Sequence, residues 1–212
     1  MKLSYVAVAG YRPPRESWPG WSTWSAAPAD FDPELGRRAM EETLAEARLA
    51  DELGFDWVSV SEHHYGPFTI TPNAAVWAAA VSQHVRRAKI ALLGPLVSMS
   101  NPVRVAEEIA MLDTLTGGRV VVLFLRGTPG EFATYHVNPD ETRARTREAS
   151  LLIARALTEP RPFGWEGRHF RFRNVSVWPG PVQRPHPPLF SSGNSFESAT
   201  FAARQRHGLA MS

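Results

Sequence analysis

The chain contains 212 residues, 43% of them hydrophobic and 21% charged. Its 23 basic residues nearly balance 21 acidic ones, and a net charge of +2 in an ordinary globular composition does not indicate a nucleic-acid partner. The chain has no cysteine, which excludes disulfides, zinc–thiolate sites and cysteine nucleophiles.

The first part of the chain repeats one order of elements, an apolar strand, a loop, a capped helix and a further strand. Helices begin at cap residues such as Asp32 and Asn101, each followed by proline, and two of them end near glycine, at Gly54 and Gly117. The predicted strands cover residues 3–9, 56–61, 88–93 and 119–125, and the predicted helices cover 33–53, 74–84 and 102–116.

The second part continues the pattern with one interruption. We predict a helix over 140–157, an inserted hairpin over 163–183, a strand over 189–193, a helix over 196–206 and the start of a sixth core strand at 208. None of the apolar runs is long enough to span a membrane, and the amino terminus has no signal-peptide pattern, so we expect a cytoplasmic protein without a membrane partner.

The core strands indicate the fold class. They are largely apolar instead of alternating, as in Val120 to Leu125, which is typical of parallel strands buried on both faces. No glycine-rich dinucleotide motif follows the first strand, where Gly10-Tyr11-Arg12 stands, so a (β/α)8 barrel is favoured over a doubly wound sheet. Such a barrel takes about 250 residues. We therefore predict one barrel domain over 1–212 with about six of its eight strands.

Glu62, His63 and His64 follow the second predicted strand, where barrel enzymes place their chemistry. Side chains alternate along a strand, so three adjacent residues cannot converge on a metal ion while the chain stays extended, and we predict no metal site. One histidine is then a candidate for a pocket. The alternative is that both are structural and hydrogen-bonded at the barrel rim.

The loops after later strands contain candidates for binding a phosphate. Arg126 precedes Gly127, and the turn from Gly193 through Asn194 and Ser195 to Ser198 opens a helix whose amino terminus favours anions. The alternatives are that the serines are ordinary caps and that Arg126 pairs with Glu131. A further basic cluster, with arginine at 143, 145 and 147, is interleaved with glutamate, and we interpret it as a solvated helix face.

The loop after the first strand is long and contains Trp18, Trp21 and Trp24. Long loops at this position are commonly functional, and three tryptophans are suited to covering an apolar substrate. The alternative is a patch that packs on the barrel or on a second subunit. The helix over 102–116 is apolar around much of its circumference, which also favours a dimer.

Short motifs occur in a recognisable order along the whole chain. They are Leu53-Gly54-Phe55-Asp56, Glu62-His63-His64, Asn101-Pro102-Val103, Leu112-Asp113, Thr116-Gly117-Gly118-Arg119, Arg126-Gly127 and Gly193-x-Ser195-x-x-Ser198. Together they resemble the bacterial luciferase-like family of flavin-dependent monooxygenases. Luciferase itself has a cysteine where Leu125 stands, which argues against light emission.

The resemblance implies a barrel that uses reduced FMN, supplied by a flavin reductase, and oxygen to oxidise a small apolar organic substrate. It implies that Arg126 and the turn formed by Gly193, Asn194, Ser195 and Ser198 hold the flavin phosphate. The backbone at Leu93 and Gly94 is expected to face the flavin ring, with a cis peptide bond between them, and His63 is expected to be the catalytic acid or base.

The resemblance also leaves alternatives open. A deazaflavin-dependent oxidoreductase would use the same barrel face without oxygen. The chain would otherwise be a non-catalytic flavoprotein or the silent partner subunit of a heterodimer. A homodimer or a heterodimer is expected in each case.

Overall fold

The computed structural model describes residues 2–12 and 25–211, so the three tryptophans of the long loop lie outside the described residues. The chain divides into two compact units, Met1–Ile90 and Ala91–Ser212. None of the described helices is both long enough and apolar enough to cross a bilayer.

The first unit consists of two strands and two helices, with a third strand beginning at its end. Its elements are β1 (Ser4–Val6), a 3₁₀ turn (Pro28–Asp30), α1 (Pro33–Glu52), β2 (Trp57–Ser61), α2 (Ala74–His84) and the start of β3 (Lys89–Leu96). Strand β1 pairs with β2 in parallel, with Ser4 opposite Trp57. Side-chain caps start both helices. The predicted cap Asp32 accepts hydrogen bonds from the backbone of Glu34 and Leu35, and Asn73 accepts one from Val76.

The second unit contains the rest of the strands. Its elements are α3 (Pro102–Thr116), β4 (Val120–Leu125), α4 (Pro129–Thr134), a 3₁₀ turn (Pro139–Glu141), α5 (Thr142–Thr158), β5 (Phe163–Glu166), β6 (Arg171–Val175), β7 (Leu189–Ser192), α6 (Phe196–Gln205) and β8 (Gly208–Ala210). Strands β3, β4, β7 and β8 are neighbours in that order, and β7 pairs in parallel with both β4 and β8. Strands β5 and β6 form a separate antiparallel pair.

The structure confirms the predicted helices and strands to within a few residues, with two exceptions. Strand β1 ends at Val6 and not at Ala9, because Val8 and Gly10 donate to carbonyls only two residues back. The short helix α4 was not predicted, although its signal is present. Thr128 and Glu131 form a capping box with Pro129 at the first helical position.

The strand pair β5–β6 is held to α5 by one carboxylate. Glu148 accepts hydrogen bonds from the backbone of His169 and Phe170, at 2.9 and 3.0 Å, and from Trp165 Nε1 at 3.2 Å. Burial works against ionisation of Glu148, but these donors outweigh it and keep its pKa below the ordinary value. The pair is therefore anchored by charge-assisted bonds in addition to apolar packing.

Asp51 ties the end of α1 to the segment that leads into β3. Its carboxylate is almost fully buried and accepts hydrogen bonds from the backbone N–H groups of Arg86, Arg87 and Ala88, at 2.9, 3.1 and 2.6 Å. Burial alone would raise the pKa of Asp51, but these hydrogen bonds outweigh it, and the pKa lies below its ordinary value.

We expect replacement of Asp51 by alanine to lower the free energy of unfolding by about 3 kcal/mol at neutral pH, because buried N–H groups lose their acceptor. The carboxylate has a lower pKa in the folded than in the unfolded protein. Its stabilisation is therefore complete above the unfolded pKa, near 4, and is lost as the pH falls through the folded value. Urea unfolding at pH 7 and pH 3 should show a smaller acid destabilisation in Asp51→Ala than in wild type. Glu42→Ala, at an exposed position on α1, is the control and should unfold like wild type at both pH values.

Candidate functional site

The second unit contains a cavity of about 410 Å³ lined by residues from β4, α5, β7 and α6. Three arginines line it, together with the serine-rich turn that follows β7. The lining residues are Phe124, Arg126, Arg143, Thr146, Arg147, Ser150, Ser191, Ser192, Gly193, Asn194, Ser195, Ser198 and Phe201. We call it the anion cavity, because three arginines and no acidic residue are among these lining residues.

The turn after β7 forms a compact helix start. Ser195 is the cap of α6 and accepts a hydrogen bond from the Ser198 backbone at 3.2 Å, while its hydroxyl donates to that of Ser198 at 3.0 Å. A Cβ atom on Gly193 would overlap the side chain of Ser198. Glycine is therefore needed at position 193 for this close approach. Hydroxyls and free N–H groups at a helix amino terminus form an environment that suits a phosphate.

The arginines on α5 were not predicted from the sequence as site residues. Arg143 and Arg147 line the anion cavity and bind opposite oxygens of the Glu197 carboxylate, at 2.9 and 2.7 Å. Arg143 is 54% exposed, as a solvated helix face implies, but the side chain of Arg147 is only 28% exposed, so that interpretation of the cluster is wrong for Arg147. Arg147 also lies over the ring of Phe201, 5.1 Å from its centre. The hydrogen bond from Arg147 and the nearby arginine charges lower the pKa of Glu197.

Arg126, the predicted phosphate ligand, follows β4 and lines the same cavity. The alternative of an ion pair between Arg126 and Glu131 is not what the structure shows. The Glu131 carboxylate instead accepts hydrogen bonds from the backbone N–H and the hydroxyl of Thr128, at 2.7 and 2.9 Å. The backbone carbonyl of Arg126 accepts a hydrogen bond from Ser98 Oγ at 2.6 Å. Arg145 in turn donates to the carbonyl of Ser98 at 2.8 Å and stacks on Phe170 of the β5–β6 pair, 5.0 Å from the ring centre.

His207 lies behind the anion cavity and was also not predicted. Its Nδ1 is 2.9 Å from the hydroxyl of Ser191, a residue that lines the cavity. Burial, and then the proximity of His186, lowers the pKa of His207, which favours the neutral imidazole. A histidine between an arginine and a glycine has no motif around it, so the sequence contained no signal for this contact.

Leu93 and Gly94 lie within β3, which continues to Leu96 and not only to the predicted end at Leu93, and their backbone geometry also differs from expectation. Among the described residues the cis peptide bonds are Trp178–Pro179 and Arg184–Pro185, so the prediction of one at Leu93–Gly94 is wrong. Gly94 is instead in the left-handed region, with φ at 111°, a conformation that glycine adopts at little cost.

In the first unit, Glu62, His63 and His64 follow β2 directly. His64 Nε2 lies 3.3 Å from Glu62 Oε1, and these side chains are only 8% and 13% exposed, so the pair is buried. The ring of His63 meets Phe68 edge to face, with ring centres 5.0 Å apart. His63 is half-buried and remains the candidate for chemistry. The described residues contain no group of three side chains able to hold a metal ion.

The structure thus brings five of the predicted residues together. Arg126, Gly193, Asn194, Ser195 and Ser198 all line the anion cavity. Leu93 and Gly94 are on β3, and His63 belongs to the first unit and is described there.

Sequence comparison places these features among known proteins. A sequence model of the luciferase-like monooxygenases matches residues 23–212. The chain is 38% identical over 175 residues to the uncharacterized protein y4wF of Sinorhizobium fredii, covering 82% of this chain and 51% of that protein. It is 27% identical over 168 residues to an alkanal monooxygenase alpha chain of Photorhabdus luminescens, covering 77% and 45%. It is 23% identical over 174 residues to the oxygenase component of a flavin-dependent trigonelline monooxygenase of Acinetobacter baylyi, covering 82% and 48%. The chain therefore spans about half the length of these relatives.

Solved structures show the same fold. Monooxygenase RslO1 from Streptomyces bottropensis matches 99% of this chain and 59% of its own, with a TM-score of 0.82 and 31% identity. The oxygenating constituent of 3,6-diketocamphane monooxygenase of Pseudomonas putida, in complex with FMN, matches with a TM-score of 0.77 and 17% identity, covering 100% and 57%. An F420-dependent secondary alcohol dehydrogenase matches with a TM-score of 0.76 and 21% identity, covering 100% and 58%. The fold class is accordingly the α/β barrel type with six of its strands present, as predicted.

Proposed function

Because the chain belongs to the luciferase-like monooxygenase family, we propose that it provides the flavin-binding part of a monooxygenase that uses reduced FMN and oxygen. The observation that carries the proposal is the anion cavity. It joins Arg126 to the turn that the sequence had indicated as a phosphate site, and it adds Arg143 and Arg147. The three arginines of the cavity fit the phosphate of FMN, because a phosphate ester has close to two negative charges at neutral pH.

In this proposal the phosphate of FMN binds in the anion cavity. Arg126, Arg143 and Arg147 supply planar donor groups, and Ser195, Ser198 and the first N–H groups of α6 supply shorter-range donors. Glu197 already bridges Arg143 and Arg147. It therefore holds the two guanidinium groups in place and reduces the net positive charge of the cavity to a value that a phosphate dianion balances.

The remaining predicted residues take roles around the flavin ring. The backbone at Leu93 and Gly94 faces the ring, and His63 donates or accepts the proton that oxygen transfer to the substrate requires. Bound reduced flavin supplies the two electrons with which one oxygen atom is reduced to water and the other is inserted into the substrate. The protein holds the phosphate, orients the ring and excludes water from it.

We also propose a substrate class, a partner, an oligomeric state and a domain organisation for the protein. The substrate is a small apolar organic molecule, a flavin reductase supplies the reduced cofactor, and the protein works as a dimer. Residues 1–212 form one barrel domain with 163–183 as an inserted hairpin. The reductase is supported by the similarity to a protein named as the oxygenase component of a monooxygenase.

A second candidate cofactor is a deazaflavin such as F420, because a structure of the same fold uses F420. The full chain should be mixed with photoreduced FMN or with reduced F420, and with oxygen and a panel of aldehydes and ketones. We expect FMN fluorescence to be quenched on binding. We also expect an oxygenated product to form with reduced FMN and oxygen but not with reduced F420. A product formed with F420 and without oxygen would favour the second candidate. Flavin binding without any product would favour the non-catalytic partner subunit.

A further inference from the structure

The first unit contains a second cavity, of about 160 Å³, between the loops that follow β1 and β2. Its walls are mainly the apolar side chains of Tyr11, Phe31, Tyr65, Pro67 and Ile70. We call it the apolar cavity. It is distinct from the anion cavity in its residues and its chemistry, since none of its described lining residues is basic.

The polar atom of Tyr11 is already used within the protein. Its hydroxyl accepts a hydrogen bond from the Asp32 backbone at 2.7 Å and donates to the Asp30 carbonyl at 3.2 Å. The Tyr11 ring also packs on Phe31, with ring centres 5.3 Å apart and planes at 32°. A ligand in the cavity therefore meets the hydrocarbon surface of these rings, because the hydroxyl is engaged elsewhere.

The Phe31 ring packs against α1 at a glycine, which leaves room for the ring. A Cβ atom on Gly36 would overlap the Phe31 ring. A glycine within a helix lowers helix stability by about 1 kcal/mol relative to alanine. In α1 this loss occurs at the position that contacts the Phe31 ring. Phe31 is nevertheless 46% exposed.

Tyr65 is held in an unusual backbone conformation. Its φ is 62°, in the left-handed region, which costs a non-glycine residue on the order of 1 kcal/mol or more. The Tyr65 carbonyl accepts a hydrogen bond from the Ala26 backbone at 2.8 Å, which joins the two loops that form the cavity. Backbone strain of this kind concentrates at ligand sites.

We propose that the apolar cavity binds the uncharged hydrocarbon end of the substrate, a single ring or a chain of similar size. An apolar cavity of about 150 Å³ in another protein stays dry and binds benzene, so the volume is adequate for one ring. Asp30 at the edge of the cavity disfavours a carboxylate at that end. This inference rests on the proposed function for the identity of the ligand as a substrate, and it narrows the substrate class to molecules with such an end.

The test is binding of fluorobenzene to the full chain without flavin, followed by the fluorine NMR signal of the ligand. We expect saturable binding to wild type and a loss of affinity on the order of tenfold or more in Ala27→Phe, which adds a ring to a residue of the cavity lining. Ala29→Phe is the matched control, because Ala29 is exposed like Ala27 and lies two residues away but outside the cavity lining. 4-Fluorobenzoate, which has the same ring and a charge, should bind at least about tenfold more weakly than fluorobenzene.

The outcomes separate this inference from the proposed function. Equal binding of fluorobenzene by Ala27→Phe and Ala29→Phe, or no binding to wild type, would overturn the inference while leaving FMN binding and turnover unaffected. Loss of FMN binding with intact, Ala27-dependent fluorobenzene binding would leave the cavity assigned and overturn the proposed function. In turnover, Ala27→Phe should raise KM for ring-ended substrates and leave FMN affinity unchanged.

Discussion

Replacement of Arg126 by methionine is expected to weaken FMN binding by about a hundredfold, because a phosphate loses a bidentate, charge-assisted donor. Methionine keeps much of the length of the side chain and removes the charge. Titration of the full chain with FMN, followed by quenching of flavin fluorescence, gives the affinity directly. Arg126→Lys should show an intermediate loss, since lysine keeps the charge without the planar fork.

Two controls make this result specific to the phosphate. Riboflavin has the same ring without the phosphate, so its affinity for wild type and Arg126→Met should be the same. Arg48→Met makes the same substitution at an exposed arginine of α1 outside the cavity lining and should not weaken FMN binding. If Arg126→Met lowered the affinities for FMN and riboflavin equally, the anion cavity would not be the phosphate site.

Replacement of His63 by alanine is expected to lower the rate of product formation by about a hundredfold or more, which is typical for a positioned acid or base. FMN affinity should not change, because the anion cavity is formed entirely by residues of the second unit. Single-turnover measurement of product with prereduced FMN separates this step from flavin supply.

His64→Ala is the matched variant for this experiment. His64 is buried against Glu62, so its loss should lower the thermal unfolding temperature more than the loss of His63 does. Unchanged product formation in His63→Ala would contradict the catalytic assignment and favour a silent partner subunit.

The elements that could be predicted are those whose signals are local. Asp32 and Asn101 are caps followed by proline, and Gly117 ends α3 in the left-handed conformation, so the helix limits followed from a few adjacent residues. The turn from Gly193 to Ser198 was recognisable for the same reason, since its glycine, asparagine and serines are neighbours in the chain.

The residues that were missed depend on contacts between distant elements. Arg147 differs from the exposed arginines of other helices because α6 presents Glu197 and Phe201 to it, and Arg143 pairs with the same carboxylate. His207 is significant only because Ser191, on a neighbouring strand, lies beside it. Glu148 likewise looked like a surface charge, and its donors lie 17 to 22 residues further along the chain.

The path from Phe170 through Arg145 and Ser98 to the carbonyl of Arg126 has a consequence for engineering this protein. The β5–β6 pair contributes no residue to the lining of the anion cavity, yet it packs on a side chain whose hydrogen bonds lead to the backbone of a proposed phosphate ligand. Substitutions at Phe170 thus offer a remote way to adjust cofactor retention, and a library confined to cavity residues would overlook it.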